Sequence, residues 1–321
     1  ATGNASKRYI LPLRRLGSLS ENVDFIAKHL YKHMQNPVEP IYFSMIHVSI
    51  IIPTYNREAH LRCTIQSVLD QTFKNFELLI CDDGSTDGSH HLVKEFQDAR
   101  IKWLAGKNSG GPAVPRNNGI AAAKSEWLAF LDSDDSWEPE KLEKQLKAAN
   151  DYNVKAVCTN SKVVKDNTIQ DNFYFPQSHN SRLSFTDMLE VNRVICSSML
   201  IHRSIIAQIG VFPEEFEYRG IEDYVLWLSS SMLTDIYYLD DALTQYRDEV
   251  ADSLRGDIVC SDPIILDNRV FRECFQRTGK LTCGKWNFRL KIIKRILKKP
   301  YLKQRILELN KKNQKSKTRS I

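Results

Sequence analysis

The segment Trp127-Leu128-Ala129-Phe130-Leu131-Asp132-Ser133-Asp134-Asp135 decides the fold of this chain. Its first five residues form a continuous apolar run, which is typical of a strand buried on both faces of a parallel sheet. Three carboxylates follow at once, where the strand ends and a loop begins. Ligands of open α/β sheets bind outside the carboxyl ends of the strands. The segment therefore predicts a buried strand with a ligand site at its tip.

The clustered carboxylates of Asp132, Asp134 and Asp135 indicate a bound cation. Charges of one sign at this spacing repel each other unless a cation or a ligand offsets them. Mg²⁺ and Mn²⁺ prefer carboxylate oxygens and commonly share their coordination shell between one or two carboxylates and substrate phosphates. For this motif taken alone, a solvated acidic turn capping a helix that starts near Pro139 is the alternative.

The residues from 46 to 160 alternate between strand and helix patterns. We predict strands at 48–52, 76–81, 101–104, 127–131 and 154–159. We predict helices at 58–70, 90–97, 115–123 and 140–149. This alternation predicts an α/β fold with a mostly parallel central sheet and right-handed crossovers.

The later part of the chain has weaker patterns. Residues 160–185 are polar and irregular, and we predict loops there. The remaining predictions are a helix at 184–192 capped by Ser184, a strand at 196–201, a helix at 224–232, a strand at 236–239 and helices from about 264 onward.

Composition narrows the class of protein. A hydrophobic content of 42% is that of an ordinary globular protein. We expect no membrane-spanning segment and no secretory signal, because the apolar runs are short and the first residues lack the signal pattern. The seven cysteines are scattered without Cys-x-x-Cys spacing, which favours free thiols in a reducing compartment.

Polar motifs also follow the first two predicted strands. Pro53-Thr54-Tyr55-Asn56-Arg57-Glu58 begins with a proline that we expect to end its strand, because proline has no N–H for the ladder. Tyr55 is a candidate for stacking on a planar base, with a core position as the alternative. After the second strand, Asp82 or Asp83 is the candidate for accepting the imide N–H of uracil or thymine, whereas 85–87 match turn chemistry.

Two further motifs carry candidate binding groups. The glycines of Asn108-Ser109-Gly110-Gly111-Pro112 permit close approach of the backbone to a ligand, and the helix that follows presents its N-terminus to anions. Arg116 in that helix is a candidate contact for a phosphate or the base. Glu222 and Asp223 precede an amphipathic helix, where they either serve chemistry or simply favour the helix dipole.

Together these motifs resemble glycosyltransferase family 2, the inverting enzymes with a GT-A fold. The resemblance extends from about Val48 to Arg247 and is carried by VSIIIPTYNRE (48–58), QTFKNFELLICDDGSTDGS (71–89), NSGGPAVPRNNGIAAAKSEWLAFLDSDD (108–135) and the Glu222-Asp223 pair followed by Trp227. It implies a Rossmann-like sheet flanked by helices. It also implies a nucleotide-sugar-binding half (45–160) and an acceptor-binding half (161–255). The patterns of the chain itself add an N-terminal extension that is helical or an expression remnant (1–44) and a helical, basic C-terminal extension (256–321).

The resemblance also implies roles for individual residues. It makes Asp223 the general base, Asp134 the metal ligand and Asp132 a ribose or metal contact, with Mn²⁺ or Mg²⁺ as cofactor. It makes Tyr55, Glu58 and Asp83 contacts of the nucleobase. The expected nucleotide-sugar-binding residues are Pro53, Thr54, Tyr55, Glu58, Asp82, Asp83, Arg116, Asp132, Ser133 and Glu222.

One feature departs from the family pattern. Family members often carry a histidine shortly after a late Tyr-Arg pair, near the metal and the diphosphate. Here Tyr246-Arg247 continues with Asp248-Glu249, and no histidine follows before Ser253. Asp248 and Glu249 are the candidate substitutes.

The implied function is inverting, metal-assisted transfer from a nucleotide-sugar donor to a hydroxyl of a glycan or lipid-linked glycan acceptor. We expect UDP as the carrier, with thymine as the alternative base. The expected process is surface polysaccharide assembly at the cytoplasmic face of the inner membrane. Two alternatives stay open: transfer to a polyprenyl phosphate, and a non-catalytic scaffold that binds nucleotide sugars.

The C-terminal tail is strongly basic although the whole chain has a net charge of only +6. Residues 280–321 contain 15 Lys and Arg against one acidic residue, Glu308. Trp286, Leu290, Ile293 and Leu297 recur at helical spacing among these basic residues. Such a helix predicts peripheral association with an anionic membrane, with docking on the enzyme body as the alternative. We expect no nucleic-acid binding, because no other segment resembles a base reader.

Overall fold

A computed structural model of the chain describes residues 47–166, 168–176, 178–248, 269–270, 272–274 and 276–278. All of these belong to one unit of the chain, Ile46–Ile321. The predictions for residues 1–44 and for the basic tail lie outside the described residues.

One sheet with helices on its faces makes up the described part of the chain. Its strands are β1 (Val48–Thr54), β2 (Phe76–Asp82), β3 (Ile101–Leu104), β4 (Trp127–Phe130), β5 (Ser136–Trp137), β6 (Ala156–Lys165), β7 (Thr168–Phe173), β8 (Ser181–Leu183), β9 (Leu200–His202) and β10 (Ile236–Arg247). Its helices are α1 (Glu58–Leu69), α2 (Ser89–Glu95), α3 (Ala113–Ala122), α4 (Lys141–Asp151), α5 (Phe185–Glu190), α6 (Arg203–Ile209) and α7 (Glu222–Ser230). Short 3₁₀ turns occur at Cys196–Ser198 and Phe216–Tyr218, and the described residues between 269 and 278 are helical.

The strand order is β3-β2-β1-β4-β9-β6-β10-β5, with β7 paired to β6 and β8 paired to β10. Strands β1 to β4 are parallel to one another, and we call them the parallel part. In the mixed part, β5 to β10, only β6 and β10 pair in parallel. Strand β9 is antiparallel to both β4 and β6 and joins the two parts. The predicted α/β class is confirmed. The predicted parallel pairing is found among β1 to β4 and between β6 and β10, and the other strand pairs are antiparallel.

Apolar side chains fix the parallel part in the centre of the fold. Every residue of β1, β2 and β4 is buried, and apolar residues predominate in all three strands, as is usual for strands covered on both faces. Behind β4, the ring of Phe130 contacts Phe212 and Trp227, with ring centroids 5.2 and 5.6 Å away. Since Trp227 belongs to α7, this aromatic cluster packs α7 against the end of β4.

The prediction that Pro53 ends its strand is wrong, because β1 continues to Thr54. The Ile51 carbonyl accepts a hydrogen bond from the Leu131 amide on the β4 side (3.1 Å), and alternation points Pro53 to that same side. Strand β4 ends at Phe130, opposite Ile51. No strand therefore needs an N–H from Pro53.

The prediction of loops over residues 160–185 is also wrong. Strand β6 extends to Lys165, β7 pairs with it antiparallel, and β8 pairs with β10. Most residues of β7 are exposed, so its sequence lacks the apolar alternation from which a strand is predicted. Strand β10 likewise runs to Arg247, past the predicted end at 239, with register shifts where Asp240 and Asp241 interrupt its apolar run.

The remaining elements agree in type with the predictions, with a few additions. Helix α5 begins at the predicted cap, where Ser184 and Asp187 form a capping box. The strand predicted at 196–201 is a 3₁₀ turn followed by β9. Strand β5 and helix α6 were not predicted. No helix in the described ranges is long and apolar enough to cross a bilayer.

Candidate active site

A cleft of about 690 Å³ opens at the carboxyl ends of the parallel part. Most residues expected from the sequence line it: Pro53, Thr54, Tyr55, Asp83, Arg116, Asp132, Ser133, Asp134, Glu222 and Asp223. The strand tips and the start of α7 therefore face one space. Two expected residues, Glu58 and Asp82, do not line this cleft.

The two acids that follow β2 differ in their surroundings. The carboxylate of Asp82 accepts hydrogen bonds from the backbone amides of Gly84 (3.2 Å) and Ser85 (3.0 Å) and so shapes its own turn. Asp83 faces the cleft, and its Oδ1 accepts from the backbone amide (2.9 Å) and the hydroxyl (2.7 Å) of Ser109. Of the two candidates, only Asp83 is placed to reach a ligand.

Glu58 links two loops instead of facing the cleft. Its Oε2 accepts a hydrogen bond from the Gly88 amide (3.0 Å), and its own amide donates to Asp87 (3.0 Å). The carboxylate thereby ties the first turn of α1 to the loop before α2. Tyr55, three residues earlier, is 47% exposed at the cleft, which leaves its ring available for stacking.

Arg116 joins the two acidic motifs of the cleft. Its side chain is 4% exposed, its Nη2 donates to Asp132 Oδ1 (2.7 Å), and its Nη1 donates to Glu222 Oε1 (2.8 Å). Glu222 Oε2 also accepts from the Gly220 amide (2.7 Å). Both terminal nitrogens of Arg116 are thus engaged by protein carboxylates, and the residue holds the loop after β4 against the start of α7.

The three carboxylates after β4 do not point the same way. Asp132 and Asp134 line the cleft and keep 29% and 27% of their side chains exposed. Asp135 is buried, where it accepts hydrogen bonds from the Ser197 hydroxyl and from the Arg247 amide (2.8 Å). Burial, followed by the charges of Asp134 and Asp132, raises the pKa of Asp135 well above its usual range. Asp135 is therefore structural, and Asp132 and Asp134 face the ligand space.

The chemistry of this pair fits a hard divalent cation. Burial and then the charge of Asp132 raise the pKa of Asp134, so the ionised pair is disfavoured as it stands. Within the described residues, no group of three His, Cys, Asp or Glu side chains is placed to hold a metal on its own. Two carboxylate oxygens are nevertheless enough for Mg²⁺ or Mn²⁺ when a substrate phosphate and water complete the shell.

Asp223 begins the opposite wall of the cleft, in the first turn of α7. Its Oδ1 accepts a hydrogen bond from the Tyr224 amide (2.7 Å). Burial and then the charge of Glu222 raise the pKa of Asp223 to about 7, against the opposing effect of Arg116. A carboxylate that titrates near neutral pH is well matched to general-base work.

Sequence reasoning missed several residues that line the cleft: Arg57, His60, Tyr174, Phe175, Arg219 and Arg247. The sequence could have identified Arg57 and Arg247, because they belong to the Pro-Thr-Tyr-Asn-Arg and Tyr-Arg motifs. Arg57 Nη2 lies 3.8 Å from Asp134 Oδ2, and Arg247 Nε donates to the Asp134 carbonyl (3.3 Å).

No signal in the sequence identified Tyr174, Phe175 or Arg219, because their segments were predicted as loops or left unassigned. His60 lies in the helix predicted at 58–70, but its place in the cleft was not predicted. Of the two candidate substitutes for the family histidine, Asp248 does not line the cleft and Glu249 lies outside the described residues.

Comparison with known proteins identifies the family. The model of the family "Glycosyl transferase family 2" matches residues 49–210. The Escherichia coli UDP-Glc:alpha-D-GlcNAc-diphosphoundecaprenol beta-1,3-glucosyltransferase WfgD is 37% identical over 182 residues, which are 57% of this chain and 68% of WfgD. A second E. coli protein described as catalysing the same reaction, WfaP, is 34% identical over 60% of this chain and 76% of its own.

A solved structure shares the fold. Residues 1–349 of S. aureus TarS in complex with UDP-GlcNAc superimpose with a TM-score of 0.57 at 19% identity, over 76% of each chain. At this identity the likeness establishes the architecture of the chain.

Proposed function

The chain belongs to glycosyltransferase family 2 and has the GT-A fold, and from that premise we propose inverting transfer of a sugar from a UDP-sugar to a hydroxyl of a lipid-linked glycan. The observation that carries this proposal is the convergence of Asp132 and Asp134 with Glu222 and Asp223 on one cleft. The names of WfgD and WfaP specify UDP-Glc and a GlcNAc-diphosphoundecaprenol acceptor, and TarS is seen with UDP-GlcNAc. These names support the donor and acceptor classes proposed.

The donor base would lie at the tips of β1 and β2. Tyr55 is exposed there and would stack on the base, and Asp83, which lines the cleft, would accept the imide N–H of uracil. Thr54 adds a polar group, because its hydroxyl is buried and has no hydrogen-bond partner in the described part of the chain. A bound nucleotide would satisfy this hydroxyl.

The diphosphate would lie beside the tip of β4. Asp132 and Asp134 are the residues that would hold Mn²⁺ or Mg²⁺, and such an ion, when bound, neutralises the charge that develops on the leaving diphosphate. Arg57, 3.8 Å from Asp134, adds a positive charge at the same place. Arg116 offsets part of the negative charge of both acidic motifs.

Asp223 would take the proton from the acceptor hydroxyl as that oxygen attacks the anomeric carbon. The new C–O bond forms as the bond to the diphosphate breaks, so a single displacement inverts the configuration without an enzyme nucleophile. General-base catalysis of this kind contributes roughly 10²–10⁴-fold to the rate.

We also propose that the reaction takes place at the cytoplasmic face of an anionic membrane, where the basic tail binds peripherally. The support is the sequence of 286–321, which lies outside the described residues. Deleting 286–321 should abolish co-sedimentation with anionic vesicles and spare transfer to a soluble acceptor analogue. A lower melting temperature with unchanged vesicle binding would instead support the alternative in which the tail docks on the enzyme body.

Transfer assays test the main proposal. The purified protein is incubated with UDP-Glc or UDP-GlcNAc, with a GlcNAc-diphospholipid or a polyprenyl phosphate, and with Mn²⁺ or EDTA. We expect one sugar to be added to the GlcNAc-diphospholipid with inverted configuration, and only when Mn²⁺ is present. Transfer to polyprenyl phosphate alone, or donor binding without turnover, would overturn the proposed acceptor or the proposed catalysis respectively.

A further inference from the structure

We propose that three aromatic rings in the mixed part, those of Tyr174, Phe175 and Tyr246, form a platform that binds the sugar ring of the acceptor. This inference rests on the proposed function, because it assigns the acceptor side of the same cleft. Sequence reasoning gave these residues no binding role, and the mechanism above does not use them.

The three rings form one cluster in the wall of the cleft. All three residues line the cleft and are half-buried. The ring of Tyr174 lies between the other two, with centroids 4.9 Å from Phe175 and 5.2 Å from Tyr246. Its plane is nearly perpendicular to theirs, at 83° and 79°. Edge-to-face contacts of this kind hold rings in defined orientations while part of their surface still faces the cleft.

A buried amide holds the platform in place. Asn160 in β6 is fully buried; its Oδ1 accepts from the Phe175 amide (3.3 Å) and its Nδ2 donates to the Phe175 carbonyl (3.0 Å). The neighbouring Ser161 carbonyl accepts from the Tyr174 amide (2.8 Å). The backbone of both aromatic residues is thus fixed on β6. Little loop ordering is needed when a ligand stacks on their rings, so the entropic cost of binding is small.

The position of the platform separates it from the base side of the donor site. Tyr55 and Asp83 lie at the tips of β1 and β2, whereas the platform belongs to β10 and to the residues after β7, on the far side of β9 in the sheet. Arg247, the residue after Tyr246, contacts the Asp134 carbonyl. The platform therefore adjoins the place where the leaving group departs and the acceptor hydroxyl must arrive.

The chemistry of the platform matches an uncharged sugar ring. The charged groups of the cleft at the β1, β2 and β4 tips are the Arg57 guanidinium and the carboxylates of Asp83, Asp132 and Asp134, which suit a nucleotide and its diphosphate. Aromatic rings instead offer flat apolar surface, on which the C–H face of a pyranose packs while its hydroxyls stay solvated. An acceptor sugar such as GlcNAc has such a face, and its reacting hydroxyl can still point toward Asp223.

The test compares variants of the platform with a matched tyrosine elsewhere. Tyr174→Leu should raise the KM for the GlcNAc-linked acceptor by about fivefold to tenfold, the size of one aromatic contact, with an unchanged Kd for UDP. Tyr174→Phe, which retains the ring, should recover most of the acceptor affinity. Tyr152→Leu is the control, because Tyr152 is 44% exposed and stacks on Tyr237 outside the cleft; it should leave both constants unchanged.

Phe175→Leu provides a second test if Tyr174→Leu does not fold. It should also raise the KM for the acceptor. An unchanged acceptor KM in the folded variants would overturn the inference. So would weaker UDP binding, because that result would assign the rings to the donor. Failure of the wild-type protein to transfer sugar to the acceptor would count against the proposed function itself, so the two failures are distinguishable.

Discussion

The parallel part and the mixed part of the sheet contribute different kinds of group to one cleft. In the parallel part, strands β1, β2 and β4 are buried at every residue, and the groups at their tips are fixed by core packing. In the mixed part, β7 is mostly exposed, and the cleft residues come from loops and from the end of β10. The first turn of α7 contributes Glu222 and Asp223 to the same cleft. On the proposal above, core packing holds the donor side, whereas part of the acceptor side lies on exposed segments.

The largest effect should come from Asp223, in the first turn of α7. Asp223→Asn should lower kcat by about 10²–10⁴-fold and leave the Kd for UDP nearly unchanged, because only proton abstraction is lost. Steady-state kinetics and calorimetric UDP binding measure the two quantities. Asp171→Asn, at an exposed aspartate of β7, is the control and should change neither. Loss of UDP affinity without loss of turnover would move Asp223 to the donor side and break the division proposed here.

The matching variant in the parallel part is Asp134→Ala. It should weaken Mn²⁺-dependent UDP binding by about tenfold or more, because one of the two carboxylates that would hold the ion is lost. Calorimetry with Mn²⁺ and with EDTA measures the effect. Asp151→Ala, at the exposed end of α4, serves as the control. Equal UDP affinity of the variant and the wild type in Mn²⁺ would contradict the assignment of Asp134.

The contrast between the two parts also explains what the sequence could predict. Each strand of the parallel part is rich in apolar residues and is followed by a helix pattern, so every element from β1 to α4 except β5 was predicted close to its observed bounds. In the mixed part, β7 has the sequence Thr-Ile-Gln-Asp-Asn-Phe and depends on antiparallel pairing with β6. Such pairing is not local in the sequence and leaves no apolar period.

The site divides in the same way. The motif carboxylates at the strand tips were identified from the sequence, since their position follows directly from an apolar run. The choice of Asp83 over Asp82, and the outward position of Glu58, depend on which backbone amides lie nearby. The link from Arg116 to both Asp132 and Glu222 joins residues up to 106 positions apart. Contacts at such separation are set by tertiary packing, which one sequence does not display.

The pH dependence of the reaction tests the role of Asp223. Burial and the charge of Glu222 raise the pKa of Asp223 to about 7, and the base must be deprotonated to act. The value of kcat/KM should therefore reach a plateau above pH 7 and fall about tenfold per pH unit below it. Residual activity of Asp223→Asn should lack this acidic limb. A wild-type limb near pH 4 would show that the Asp223 carboxylate is ionised throughout the neutral range.

The smallest effect tests the rigidity of the parallel part. Gly119 lies in α3, where an added Cβ would be 2.5 Å from Ile51 Cγ2 and 2.8 Å from Cys81 Sγ. Alanine is normally better than glycine inside a helix by about 1 kcal/mol, but overpacking costs about 1–3 kcal/mol. Gly119→Ala should therefore lower the free energy of unfolding, and it should weaken UDP binding by displacing Arg116 one turn earlier in α3. Asn118→Ala, on the exposed face of the same helix, should be neutral or slightly stabilising. Denaturant titration and calorimetry compare the two variants. If Gly119→Ala is as stable as Asn118→Ala, the packing of α3 against β1 and β2 adapts to an added methyl group, and the donor side is not rigid.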